Sequence, residues 1–224
     1  MKKVKGITIS CVLLLSACAS TQKTDEVSAQ NGSSVPIFIG FIDEDLNNDR
    51  YADNVLREVT PTHTGVGLGI NILASVLSKG LSVTTFTKEN LRGNQISSLP
   101  EPTKFYLTPK AKPIISDWLE KNTQGYQYKN VLNIGAAKWL LVYQDLSSNN
   151  SNYELRYTVK FYKKPENSNI FSSYIISDCT PKPEVATLTD WRANNYMLVQ
   201  ETTRKYMDFC LLQLENQLPR LLKH

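Results

Sequence analysis

Three consecutive pieces decide the fold: KWLLVYQDL at 138–146, SSNNS at 147–151 and YELRYTVKFY at 153–162. In the last piece Tyr153, Leu155, Tyr157, Val159 and Phe161 alternate with Glu154, Arg156, Thr158 and Lys160. A period of two predicts a strand with one buried and one wetted face. The run 138–146 is apolar enough for a buried strand, and five small polar residues between the two form a turn. A second turn at Pro165-Glu166-Asn167 and the run Asn169–Ile176 extend this to a three-strand antiparallel meander.

Downstream, Pro181 and Pro183 keep a linker extended, and Thr187 opens a helix with Asp190 in its first turn. Leu188, Trp191 and Met197 follow. From Asn194 to Leu214 a long helix or helix pair carries Val199, Tyr206, Met207, Cys210, Leu211 and Leu214 at helical spacing. Pro219 ends or kinks it. Upstream, Lys112–Asn122 predicts a short amphipathic helix whose apolar face is Ile114, Ile115, Trp118 and Leu119. Phe105-Tyr106-Leu107 predicts a strand, and Thr87–Pro102 an irregular stretch. Ile37–Ile42 predicts a buried strand, and Val55–Thr64 another before Pro61. Gly65–Val83 reads as a loop and a buried helix; its glycines lack the spacing of a phosphate-cradling loop. The expected class is α+β: an antiparallel meander sheet packed by helices, with a long C-terminal helix.

The N-terminus is of another kind. Met1 to Lys5 is positively charged and Gly6–Leu14 is apolar but shorter than the ~20 residues a bilayer span requires. The run ends in Leu15-Ser16-Ala17-Cys18. This pattern resembles the lipobox of bacterial lipoproteins, over residues 1–19 only. The resemblance implies a signal peptide at 1–17, removed on export, and a Cys18 that carries lipid. Two or three acyl chains, at about 0.8 kcal/mol per buried methylene, anchor a protein durably. Ala19 in place of Asp implies the outer membrane. Ala19–Val35 is polar and aperiodic, so 18–35 is expected to be a flexible tether, with a single domain over 36–224.

Loss of Lys2, Lys3 and Lys5, with no acid, takes the formal charge from +4 to +1. The basic balance thus belongs to the discarded segment, and no nucleic-acid partner is read from it. Of four cysteines, Cys11 leaves with the signal and Cys18 takes lipid. Cys179 and Cys210 remain, an even pair in an oxidising compartment, and a disulfide stapling the last helix to the meander is expected. The alternative is two buried thiols.

Candidate chemistry is sparse. Asp45-Leu46-Asn47-Asn48-Asp49-Arg50-Tyr51-Ala52-Asp53 resembles the calcium loops of EF-hand and dockerin-like repeats. The resemblance implies Asp45, Asn47, Asp49 and Asp53 as oxygen donors, with the Tyr51 carbonyl. Arg50 stands where the loop's glycine belongs and would need a left-handed backbone; Leu56 stands where a bidentate acid belongs. His63 and His224 are the only histidines, which excludes a His/Cys zinc cluster. His63 lacks the nucleophile elbow of a hydrolase. The expectation is a noncatalytic envelope lipoprotein, anchored through Cys18, that acts as an accessory or assembly module on an envelope protein partner. The competing class is a small-ligand or calcium-binding module.

Overall fold

The computed structural model describes residues 24–48, 50–62, 88–144, 152–169 and 171–224. The signal segment, Cys18, Ala19, Asp49, His63, Gly65–Val83 and the turn at 147–151 lie outside the described residues.

Two twelve-residue strands, β5 (Leu132–Tyr143) and β6 (Asn152–Lys163), run antiparallel along their whole length. Each long strand is flanked by two short strands placed end to end. On the outer side of β5, β2 (Ser34–Phe41) pairs in parallel with Leu132–Ala136, and β3 (Leu56–Val59) pairs in parallel with Leu140–Val142. On the outer side of β6, β7 (Ile175–Cys179) pairs with Val159–Lys163, and β8 (Glu184–Thr187) pairs with Asn152–Leu155, both antiparallel. β1 (Asp25–Ser28) closes the β2 edge and β4 (Asn94–Ile96) the β3 edge, again antiparallel. The class is α+β, but the sheet is mixed, with parallel pairing wherever the N-terminal strands meet β5.

A bulge at Ala137 divides β5 between its two parallel neighbours. Gly135 just before it is needed for space. A Cβ there would meet the Ile42 Cα and Cβ at 2.9 Å, where the chain leaves β2.

The alternation read in β6 holds: Tyr153, Leu155, Tyr157, Val159 and Phe161 are all buried in the main core. Their cross-strand neighbours Ile134, Ala136, Trp139, Leu141 and Tyr143 share that face and are also buried. Two helices cover it. α1 (Thr108–Asn122) buries Ala111, Ile115 and Leu119. α2 (Leu188–Leu221) buries Trp191, Val199, Thr203, Tyr206, Met207, Cys210 and Leu214. Thr187 caps α2, its hydroxyl accepting from the Asp190 N–H at 3.1 Å. α2 is a helix pair: Ala193 to Tyr196 leave helical geometry, and Asn194, Asn195 and Tyr196 are all left-handed. Pro219 sits inside the last turns, which continue to Leu221.

Cys179 at the end of β7 is bonded to Cys210 of α2. Among the described residues, no helix is long and apolar enough to cross a membrane.

Three expectations need correction. The tether placed at 18–35 is in part folded: Asp25–Ser28 is a strand, turned onto β2 through Asn31-Gly32, with Gly32 at φ 85°. The Asn31 side chain also donates to the carbonyls of Leu119, Glu120 and Thr123, so it closes the C-terminus of α1. Phe105-Tyr106-Leu107 is no strand but part of a π-turn, Thr103–Leu107, leading into α1. Both Glu101 carboxylate oxygens accept the N–H groups of Thr103 and Lys104, which starts the helix early. The third meander strand lies later than Asn169–Ile176, because Asn169 folds its own segment into a turn, its side chain accepting the Phe171 N–H at 2.9 Å.

Candidate functional site

The residues of the Asp45–Asp53 loop do not share one task. Asp45 is exposed, and the Tyr51 ring is 77% exposed. Asn47 donates its amide to the Arg50 carbonyl at 2.9 Å. Asn48 is left-handed, at φ 55°.

Asp53 faces the sheet. Its carboxylate accepts from Arg57 at 2.8 and 3.2 Å and from the Trp139 N–H at 3.0 Å, while its own N–H donates to the Ala137 carbonyl at 3.3 Å. Asp53 therefore closes the gap in the β5 edge between the end of β2 and the start of β3, where the bulge has no strand partner. A cation at this loop has to compete with Arg57 for Asp53. Among the described residues, no group of three or more Asp, Glu, His or Cys side chains comes together.

On the same sheet face a row of charges links separate segments. Glu89 pairs with Lys138 and Arg156, and Arg156 also pairs with Glu154. Burial pushes the Lys138 ammonium down, helped by the nearby Arg50 and Arg57 charges. Every acid in this row has a cationic partner, so it reads as a neutralised face, not as a free acid or base.

A fully buried ion pair closes the other end of the sheet. Lys163 bonds Glu166, and Glu166 also accepts the Lys129 N–H at 2.9 Å. Burial alone would raise the Glu166 carboxyl, but Lys163 and the Lys129 and Asn130 N–H groups outweigh it and hold it below the ordinary carboxylate range. The last turn of the chain is fastened nearby: Tyr128 donates its hydroxyl to the Leu222 carbonyl at 2.7 Å, and His224 stacks on Tyr126 with ring centroids 4.1 Å apart.

The helix side of the sheet carries a different feature. A cleft of about 70 Å³ opens between the Pro100–Tyr106 turn and α2. Its floor is Trp139 and Met207, and Phe105 and Tyr106 form one wall. Thr203 and Arg204 on α2 form the other. The indole N–H of Trp139 donates to Thr203 at 2.9 Å, so the floor's polar atom is already satisfied. Tyr106 donates its hydroxyl to Asp208 at 2.6 Å, which ties the π-turn to α2. Phe105 is 64% exposed at the rim. π-turns recur at functional sites because the extra residue redirects side chains; here it turns Phe105 outward beside the cleft.

The hydroxyls of Thr103 and Tyr157 are buried without a hydrogen-bond partner among the described residues. Burial pushes the Tyr157 phenol up. The sequence reading placed no site here. Phe105, in a segment read as a strand, gives no local signal that it faces solvent.

No protein-family model, curated protein or solved structure matches this chain.

Proposed function

We propose that this chain is a lipid-anchored accessory protein of the bacterial envelope that works by holding a partner protein, without catalysis of its own. The observation that carries the reading is the size and lining of the cleft beside Phe105. At about 70 Å³ it is far below the roughly 300–1,000 Å³ of small-molecule sites. It suits one side chain of a partner, and an exposed aromatic stands beside it, as at many protein interfaces. The residues read as a lipobox, ending at Cys18, supply the anchor in this proposal, and Ala19 in place of Asp favours the outer membrane. The Cys179–Cys210 bond supports an oxidising compartment.

The test is purification of the natively expressed protein in mild detergent, with mass spectrometry of the N-terminal peptide and of whatever accompanies it. A lipidated Cys18 and a stoichiometric envelope protein are expected. An unmodified N-terminus, or a protein that emerges alone at every detergent level tried, overturns the reading. Cys18→Ser should release the chain from membranes.

A further inference from the structure

We propose that the cleft between the Pro100–Tyr106 turn and α2 receives an apolar side chain from an acidic, extended segment of the partner protein, with Arg204 binding a carboxylate next to that side chain. This rests on the partner-holding reading and specifies its surface and its ligand chemistry.

The apolar half of the argument is the lining. Trp139, Met207, Phe105 and Tyr106 supply the apolar part of the lining of this cleft of about 70 Å³, and Glu101, Gln200, Thr203 and Arg204 the polar part. The one polar group on the floor, the Trp139 indole N–H, is engaged by Thr203. An apolar side chain over Trp139 and Met207 displaces water from the apolar part of that lining favourably. Methionine and aromatic side chains are adaptable, strongly contributing contact residues.

The electrostatic half is which charges at the rim are already matched. Glu101 has both oxygens bonded to the Thr103 and Lys104 N–H groups. Asp208 is bound by Lys110 and Tyr106. Arg204 lines the cleft and is exposed, with no ion pair or hydrogen bond among the described residues. The Lys104 ammonium lies 5.4 Å from the centre of the Phe105 ring and has no carboxylate partner among the described residues. Asp208 is offset by Lys110, and the Glu101 carboxylate is turned to the two N–H groups at the start of the helix; Arg204 and Lys104 outnumber that one remaining acid, so the rim is net positive and the complementary ligand is anionic. An arginine fork pairs a carboxylate in two parallel hydrogen bonds, which fixes direction as well as charge. Arg204 and Met207 are one turn apart on the same face of α2. A carboxylate on Arg204 and an apolar side chain over Met207 therefore fit residues two apart in one extended strand, whose side chains share a face.

The experiment is calorimetric titration of the lipidated protein in detergent with capped pentapeptides. One set has a central Leu or Phe with Asp two positions to either side, and its counterpart carries Lys at those two positions. The acidic peptides are expected to bind saturably, and the Lys peptides about tenfold or more weakly. Arg204→Glu should abolish that preference, and Phe105→Ala should weaken the acidic peptides by about tenfold. Both positions are exposed, so the fold is retained, which circular dichroism checks.

No saturable binding of the acidic peptides, or equal binding in Arg204→Glu, overturns the proposal. So does dimerisation of the parent protein that Arg204→Glu abolishes, because that assigns the cleft to a second copy. A partner that still copurifies with Arg204→Glu overturns this surface and leaves the partner-holding reading intact. Absence of any partner with the parent protein overturns that reading itself.

Discussion

Asp53 does at one position what a strand does elsewhere in the sheet. Its carboxylate and N–H serve Trp139 and Ala137 of β5 and hold Arg57 in place. Asp53→Ala leaves the Trp139 N–H unpaired and takes the only carboxylate from a largely buried Arg57, which keeps its bonds to the Glu89 and Leu91 carbonyls among the described residues, and should lower stability by about 2–4 kcal/mol. Urea unfolding in a calcium-free buffer measures it. An equal loss in calcium and in chelator identifies a scaffold role; a loss that calcium enlarges identifies a ligand. Tyr157 makes the opposite case. Its ring is fully buried, and its hydroxyl faces that of Thr103 without a hydrogen bond of good geometry. Tyr157→Phe should leave the unfolding midpoint unchanged or raise stability by up to about 1 kcal/mol, since the lost hydroxyl was desolvated without return. A loss of about 1 kcal/mol or more would show that the hydroxyl is bonded, to Thr103 or to a water. Residue-scale roles of this kind were only half visible beforehand. The Asp and Asn spacing at 45–53 marks a tight polar loop. Which way Asp53 turns depends on a bulge some eighty residues later.

At the scale of elements, the break in α2 is the least ordinary feature. Left-handed backbone costs an L-residue roughly 1–2 kcal/mol, and three such residues follow one another. Asparagine tolerates the region better than most, and two of the three are Asn. Tyr196 is held there by its hydroxyl bond to buried Glu58 at 3.1 Å, beside the Arg192 pair with the same carboxylate. The segment Leu188–Arg192 and the long helix are thus joined through one acid on β3. Asn195 is exposed and its side chain is not part of that contact. Asn195→Ala should cost about 1 kcal/mol, and Asn195→Gly should match or exceed the parent. Thermal unfolding of the two variants side by side decides it. If Ala and Gly behave alike, the left-handed backbone is not what the break requires. A long helix or helix pair was legible from the spacing, but the break at Ala193–Tyr196 was not, and neither was the π-turn. An apolar triplet such as Phe105-Tyr106-Leu107 suits a strand or a helix equally, and the Glu101 cap settles it.

A disulfide and a buried ion pair add to the sheet ladder in holding the molecule together. The disulfide joins residues 31 apart and ties α2 to β7. The chain-entropy treatment gives about 3–4 kcal/mol for a loop of that length. The double variant Cys179→Ala/Cys210→Ala should melt roughly 10 °C lower, at about 2–4 °C per kcal/mol for a chain of this size. A melt unmoved by the variant, or by reductant on the parent, would mean that packing alone positions α2. The Lys163–Glu166 pair gives stability a dependence on acid. Glu166 has a folded pKa below its ordinary value, so its contribution is fully present above the usual carboxylate range and is lost as pH falls through the lower folded value. The stability difference between the parent and Glu166→Gln should be constant above about pH 5 and shrink toward pH 3. A difference that stays constant across that range removes Glu166 from the acid transition.

What the amino-acid sequence determined by itself is whatever follows from local period and residue chemistry. The alternation of β6, its pairing with the strand before it, the cap at Thr187 and the pairing of two cysteines all belong here. Each rests on neighbours a few residues away or on simple counting. What only the tertiary structure decided is long-range. β1 is too polar to read as a strand, and becomes one because Asn31-Gly32 turns it onto β2. The N-terminal strands run parallel to β5, because two short strands share one long edge on either side of a bulge. The cleft exists because the Pro100–Tyr106 turn and α2, about a hundred residues apart, meet over Trp139. Pairing partners, strand direction and surface shape are set by contacts between distant segments, which no local pattern encodes.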